Sequence, residues 1–157
     1  MKFLDIIACV GFIAALIALP FSFYYFRRAP LRSALFFGVP LLIFMGTAST
    51  SQDIAHHEVL RKLNSLSDAS NVTINGQPAS NSKQVLLALK ALDWIPPHHS
   101  NPTKHIGLQI TDRSSPILLA LARDSGDPRE YWVFYPKYYL TRINEIGRIR
   151  TPLFDEY

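Results

Sequence analysis

The sequence predicts an α+β fold: a two-helix N-terminal transmembrane hairpin, then a small domain with one main helix packed on a four- to five-stranded, mainly antiparallel sheet. Three observations predict it. Residues 1–49 contain two apolar stretches that are almost free of charge, whereas the remainder of the chain is an ordinary polar mixture. Residues 80–92 carry apolar side chains at helical spacing, and short alternating runs follow. We therefore expect a hairpin at 1–49, a juxtamembrane helix at 50–70 and an extracytoplasmic α+β domain at 71–157.

Both apolar stretches are long enough to be membrane spans. The first covers residues 3–26, which at about 1.5 Å per residue reaches about 36 Å and exceeds a hydrocarbon core of roughly 30 Å. Cleavage of residues 1–26 as a signal peptide is the alternative, but no A-x-A pattern of small residues ends the stretch. The second covers residues 33–49, at the short limit for a span, so a buried or re-entrant segment is its alternative.

Three arginines, Arg27, Arg28 and Arg32, lie in the loop 27–32 between these stretches. Positive charge beside membrane helices tends to stay in the cytoplasm, and the next basic residue, Arg61, is far beyond the second stretch. We therefore expect a cytoplasmic loop with both termini outside. In a bacterium, this topology describes a multi-pass protein of the inner (cell) membrane whose C-terminal domain is periplasmic.

The elements of the soluble part follow from the period of their apolar residues. Residues 59–66 carry a helical stripe, which predicts the juxtamembrane helix. Residues 72–74 alternate ahead of Asn75-Gly76, a strong signal for a tight turn, so a small strand or hairpin is expected there. Further strands are predicted on HIGLQIT, ILLALAR, YWVFY and IGRIRT, with YYLTRI as an additional candidate.

Composition excludes several classes of protein. The net charge of +4 is spread along the chain without a Lys/Arg-rich patch, which argues against nucleic-acid binding. The single cysteine, Cys9, cannot form a disulfide within the chain. No nucleophile elbow, phosphate-binding loop or dinucleotide fingerprint occurs in the sequence, so we expect neither an enzyme nor a cofactor.

One segment combines arginine, acidic and aromatic residues in the manner of a protein interface. Aromatic and arginine side chains are the anchors that interfaces prefer. A charged turn followed by a core strand is the alternative interpretation. The candidate protein-binding residues are Arg123, Asp124, Asp127, Arg129, Tyr131, Trp132, Tyr135 and Tyr138.

Two weaker candidates lie elsewhere in the soluble part. His98 and His105 flank a proline-rich loop and could converge on a metal ion if the loop folded back, although solvated loop histidines are the simpler interpretation. Glu145, Arg148 and Arg150 fit cross-strand pairs on a solvated face. The alternative, functional interpretation is that the two arginines form a cluster that binds a carboxylate.

These observations lead to a functional hypothesis. The chain is expected to be a membrane-anchored periplasmic protein-binding domain, of which an immunity-type or inhibitor protein is one concrete version. Its expected partners are the lipid bilayer and a protein in the periplasm or membrane. The alternative is a ligand- or metal-sensing domain, or an accessory subunit of a membrane complex.

Overall fold

A computed structural model describes residues 2–67, 69–95, 99–112, 116–138, 140–142 and 144–157. The chain divides into two compact units, Met1–Ser51 and Gln52–Tyr157. The fold is α+β, with two long apolar N-terminal helices and an antiparallel sheet, as the sequence predicts.

Two helices account for the apolar N-terminal region. Helix α1 is Lys2–Tyr25 and helix α2 is Pro30–Ser65, so the second helix continues without a break through most of the segment predicted as a juxtamembrane helix. Pro20 and Pro40 lie inside the helices. Among the described residues, these two helices are long and apolar enough to cross a membrane, judged by length and composition.

The two helices of the first unit contact each other at Gly11 and through an aromatic pair. A side chain at Gly11 would lie 3.2 Å from the carbonyl oxygen of Pro40 and 3.2 Å from the amide nitrogen of Phe44. The rings of Phe12 and Phe44 are 5.3 Å apart. Without a β-carbon at Gly11, the backbones approach closely, which favours van der Waals packing between apolar helices.

In the described part of the second unit, the sheet has six strands, rather than the four or five predicted. Its order is β2-β1-β3-β4-β5-β6, and every neighbouring pair is antiparallel. The small hairpin predicted after residue 70 supplies the additional strands by pairing with β3. The strands are β1 Asn71–Ile74, β2 Gln77–Pro78, β3 Pro102–Thr111, β4 Ile117–Asp124, β5 Glu130–Phe134 and β6 Gly147–Arg150.

Asn75 and Gly76 form the turn between β1 and β2. Both have positive φ angles, 50° and 82°, as a tight two-residue hairpin turn requires. The side-chain oxygen of Asn75 accepts a hydrogen bond of 2.8 Å from the Gly107 amide. This bond fixes the turn against β3. The segment YYLTRI differs from its prediction, because its described part contains a 3-10 turn, Leu140–Arg142, instead of a strand.

One hydrophobic cluster forms the core of the second unit. Helix α3, Ser82–Lys90, buries Val85, Leu86 and Leu89, and the final turns of α2 bury Val59 and Leu63. Alternate strand residues complete the same cluster, because successive side chains of a strand point to opposite faces. The strand members are Val72, Ile74, Ile106, Leu108, Ile110, Ile117, Leu119, Leu121, Tyr131, Val133 and Ile149.

Candidate functional site

The predicted binding segment forms the β4–β5 hairpin. Its register pairs Arg123 with Tyr131 and Ala122 with Trp132. Because side chains alternate along a strand, Tyr131 enters the core whereas Trp132 lies on the opposite face of the sheet. The hairpin therefore divides the predicted residues into two sets with different surroundings.

Asp124 ends β4 and collects donors from three directions. Its carboxylate accepts hydrogen bonds from the Ser100 hydroxyl at 2.5 Å and from the Trp132 indole at 2.7 Å. The amides of Gly126 and Asp127 donate to it at 2.6 and 3.0 Å. Burial alone raises the pKa of Asp124, but these hydrogen bonds outweigh it and hold the pKa well below its usual range. The carboxylate therefore stays ionised although it is buried.

Arg148 on β6 is the cation of this buried group. Its guanidinium lies 2.8 Å from Glu130 and 2.7 Å from Glu145, and 3.7 Å from Asp124. It also stacks on the indole of Trp132, with 3.9 Å between the guanidinium carbon and the ring centroid. Burial lowers the pKa of Arg148, but hydrogen bonds to Glu145 and Glu130 raise it more, so the side chain stays charged.

The solvent-exposed residues next to this buried ionic group lie around the turn of the β4–β5 hairpin and on β6. Arg150 keeps 61 % of its side chain exposed while donating to Glu130 at 2.9 and 3.0 Å. Arg129 is exposed, and Asp127 and Trp132 are half-buried. We refer to Asp127, Arg129, Trp132 and Arg150 as the hairpin rim. The rim presents charge and an aromatic surface above a fixed ionic group.

On the core side, the hairpin holds the C-terminal segment. Arg123 donates to the Tyr131 hydroxyl at 2.8 and 3.1 Å and pairs with Asp155 at 2.6 Å. The Tyr131 ring packs edge-on against Phe154, with centroids 5.2 Å apart. Burial raises the pKa of Tyr131, so its hydroxyl remains a neutral donor to Asp155. These contacts are internal to the domain.

Glu58, on α2 beyond the predicted span, organises a second buried group. Lys137 and Lys62 donate to its carboxylate at 2.6 and 3.0 Å, Tyr135 donates at 3.2 Å, and Tyr138 also donates. Burial alone raises the pKa of Glu58, but the bonds from Lys137, Tyr138 and Lys62 lower it from 4.5 to about 2. The carboxylate connects α2 to the segment that follows β5.

The candidate binding residues thus differ in accessibility. Tyr131, Tyr135, Tyr138 and Asp124 are buried and bonded within the domain. The remaining candidates are accessible at least in part: Arg123, Asp127, Arg129 and Trp132. Their role in binding a protein stays a prediction.

Sequence reasoning did not single out Glu58 or Ser100. Ser100 bonds to Asp124, 24 positions later, and the tyrosines that donate to Glu58 are 77 and 80 positions away, so these contacts leave no local signal. The Glu58–Lys62 pair, at i,i+4 spacing on α2, is the one local signal among these contacts. Arg148 and Arg150 pair with Glu130 across β5 and β6, as the predicted cross-strand pairs require, and Arg148 also pairs with Glu145. The predicted solvated face is wrong at Arg148, whose side chain is 2 % exposed. The sequence signal for these ion pairs is the predicted strand IGRIRT, in which Arg148 and Arg150 lie two positions apart and therefore on the same face.

The histidines have separate settings. His105 is exposed on β3, and its ring centroid is 6.4 Å from that of Phe134, whereas His98 lies outside the described residues. His56 is buried, donates from Nδ1 to the carbonyl oxygen of Ile146 at 2.6 Å and stacks on Trp94. Within the described ranges, no three His, Cys, Asp or Glu residues are grouped so as to hold a metal ion. The metal-binding prediction for His98 and His105 stays untested.

The predicted topology residues lie at the turn between α1 and α2. Arg27 and Arg28 are in the turn, where the amides of Arg28 and Ala29 donate to the Tyr25 carbonyl at 2.9 and 3.0 Å, and Arg32 is in the first turn of α2. All three arginines are exposed. Their compact arrangement follows from a connection of only a few residues between the helices.

No family model, curated protein or solved structure matches this chain.

Proposed function

We propose that the chain is a membrane-anchored protein-binding protein. Helices α1 and α2 anchor it in the inner membrane of a bacterial cell, and the domain that follows binds another protein from the periplasmic side. An immunity-type or inhibitor protein, which blocks a toxin or enzyme by occupying its surface, is the concrete form of this proposal. The observation that carries it is the hairpin rim, an accessible arginine and tryptophan surface supported by a buried ionic group.

Exposed apolar side chains support the membrane anchor. Phe3, Val10 and Leu42 are 70 %, 61 % and 69 % exposed, and most other large side chains of the two helices are similarly open. Soluble proteins rarely expose a contiguous apolar patch larger than a few hundred Å², because contact between such a patch and water is unfavourable. A hydrocarbon phase around residues 3–26 and 33–49 removes this cost, since the backbone of a helix is already hydrogen-bonded.

The distribution of arginine supports the orientation. Arg27, Arg28 and Arg32 lie together at the turn, so moving the turn across the membrane would transfer three guanidinium groups. Retaining it in the cytoplasm exports the C-terminal domain. Within that domain, the shared cluster of α3 and strand residues supports the proposed packing of α3 on one face of the sheet.

The rim has the chemistry of an interface anchor. Trp132 offers a flat aromatic surface, and Arg129 and Arg150 offer guanidinium groups, which are the residue types that dominate binding energies at interfaces. The partner that fits the rim carries carboxylates around an apolar contact. The buried carboxylates of Asp124 and Glu58 are occupied by the protein's own donors, which supports binding rather than catalysis.

Photocrosslinking in intact cells tests the binding surface. A photoreactive phenylalanine analogue replaces Arg129, and the matched control replaces Leu87, which is 57 % exposed on α3 of the same domain. We expect one specific crosslinked protein from position 129 and none from position 87. The purified product is then titrated against the Arg129→Ala and Leu87→Ala variants, and we expect only Arg129→Ala to weaken binding, by about tenfold or more.

The outcomes of the crosslinking experiment separate the candidate functions. Identical products from both positions, or no weakening by Arg129→Ala, would contradict a binding role for the rim. A captured integral subunit of a membrane complex would favour the accessory-subunit alternative over an immunity-type protein.

Cysteine labelling tests the topology. The single native cysteine, Cys9, is replaced by serine, and one new cysteine is introduced at Gln77 in β2 or at Phe26 in the turn, both exposed positions. A membrane-impermeant maleimide added to cells without an outer membrane should label position 77 at once. Position 26 should be labelled only after permeabilisation. The reverse pattern would overturn the proposed orientation.

A further inference from the structure

A cleft of about 410 Å³ opens between the last turns of α1 and the first turns of α2, within the unit Met1–Ser51. Its walls are mainly apolar and include Ile17, Phe21 and Phe36. At one end, beside the turn, it is bordered by Tyr25 and Arg32. The cleft therefore combines a long apolar surface with a cation at a single end.

A pair of serines holds the helices together beside this cleft. The Ser22 hydroxyl donates to the Ser33 carbonyl at 3.0 Å, and the Ser33 hydroxyl donates to the Ser22 carbonyl at 2.5 Å. Because each hydroxyl donates a hydrogen bond to the other helix, neither needs a water molecule in the cleft as its hydrogen-bond acceptor. The reciprocal bonds also hold the two helices at this separation beside the cleft.

The charge around Arg32 lacks a carboxylate to balance it. Asp5 is the single acidic residue in Met1–Ser51 and belongs to the opposite end of α1, whereas Arg27 and Arg28 add to the positive charge beside Arg32. Among the described residues, no ion pair of Arg32 is formed. A guanidinium group binds phosphate or carboxylate through parallel N–H···O bonds, and phosphate is the one of these two anions that every phospholipid headgroup carries.

We infer that this cleft is a binding site for an anionic phospholipid, with the phosphate on Arg32 and one acyl chain along Ile17, Phe21 and Phe36. The inference rests on the proposed membrane insertion, which puts Arg32 at the headgroup level. From Tyr25 to Ile17, the cleft follows about 12 Å of helix, most of one leaflet of roughly 15 Å. An acyl chain is long and apolar enough to contact the whole apolar wall. A soluble phosphate would contact only Arg32 and leave the apolar side chains without a partner.

Native mass spectrometry of the full chain tests the site. The protein is purified in a non-ionic detergent, stripped of lipid, and titrated with phosphatidylglycerol or phosphatidylcholine carrying identical acyl chains. The variant Arg32→Gln removes the cation of the cleft. The matched control, Arg28→Gln, removes the same charge from the same turn at a residue that does not line the cleft.

We expect the wild type to retain one phosphatidylglycerol in preference to phosphatidylcholine. Arg32→Gln should lower this preference by about fivefold or more, the factor that one arginine contributes near a lipid surface, and Arg28→Gln should leave most of it. Equal losses in both variants would reveal a general attraction to the turn and overturn the site. Competition by inorganic phosphate with no lipid retained, or a second copy of the chain excluding lipid, would overturn it as well.

Extraction of cell membranes with alkaline carbonate separates this inference from the proposed anchor. A chain that is released by carbonate is not inserted, and the anchor itself is then wrong. A chain that stays in the membrane but shows no headgroup preference refutes the lipid site alone.

Discussion

The charge of Glu58 should contribute about 3 kcal/mol to the stability of the domain, and the variant Glu58→Gln measures it. The pKa of this group falls from 4.5 to about 2, and each pKa unit corresponds to about 1.4 kcal/mol. The side chain is 9 % exposed, so solvent screens the interaction only weakly. Glutamine keeps the shape but removes the charge that Lys137 and Lys62 stabilise.

The effect of Glu58→Gln should depend on pH in a defined direction. A carboxyl group whose pKa is lowered by folding stabilises fully above its unfolded pKa, here 4.5, and loses that contribution as the pH falls through the folded pKa of about 2. The wild type should therefore exceed the variant by about 3 kcal/mol at pH 7, about 1 kcal/mol at pH 3 and less than about 0.5 kcal/mol at pH 2.

Urea unfolding monitored by tryptophan fluorescence measures this difference on the full chain in detergent. Both tryptophans, Trp94 and Trp132, belong to the second unit, so the signal reports the domain. Glu156→Gln is the matched control, because Glu156 is exposed and should change the free energy of unfolding by less than about 0.5 kcal/mol. A Glu58→Gln difference that is small at pH 7, or equal at pH 7 and pH 2, would show that the charge of Glu58 does not stabilise the domain.

Two other substitutions probe the sheet through the same unfolding experiment. Arg148→Met leaves buried carboxylates without their cation and should lower the free energy of unfolding by about 3–5 kcal/mol. Arg150→Met, at a largely exposed site, should lower it by about 1 kcal/mol or less. Similar losses in the two variants would contradict the buried ionic group. Gly147→Ala should cost about 2 kcal/mol or more, because φ is +138° and the new β-carbon would lie 2.9 Å from the Asp93 carbonyl oxygen. Gly107→Ala should be close to neutral, because its new β-carbon would lie 3.7 Å from Asn75 Oδ1, an ordinary van der Waals contact. An equal loss at both glycines would argue against this strain.

The α+β class could be predicted because its signals are local. Apolar runs, helical stripes and Asn75-Gly76 each depend on neighbouring residues, so the two helices and the hairpin turn follow from the sequence. The number of strands could not be predicted, since β1 joins the sheet by pairing with β3 more than 30 residues away. The segment around Leu140–Arg142 has a strand-like composition, but its hydrogen bonds form a 3-10 turn instead.

The sequence identifies the segment that combines arginine with aromatic residues, but it does not predict which of these side chains are buried. The alternation through Tyr131 and Trp132 shows that the two side chains face opposite ways, and both faces of this part of the sheet prove to be partly or fully covered. Tyr135 and Tyr138 can be buried because Glu58, 77 and 80 positions earlier, accepts hydrogen bonds from their hydroxyl groups. Such a partner cannot be recognised from the local composition of either segment.

The position of the ionic group beneath the rim bears on how the rim could bind. Asp124, Glu130 and Arg148 are each bonded by several partners, so the backbone of the hairpin and the indole of Trp132 are held in place before any partner arrives. Binding loses less free energy when its anchors are already ordered. The fixed Glu130 carboxylate also orients Arg150, whose exposed side chain would otherwise sample many rotamers. A buried charge network is costly to maintain, and positioning an otherwise flexible arginine and a tryptophan on one surface is a physical reason for the domain to retain it.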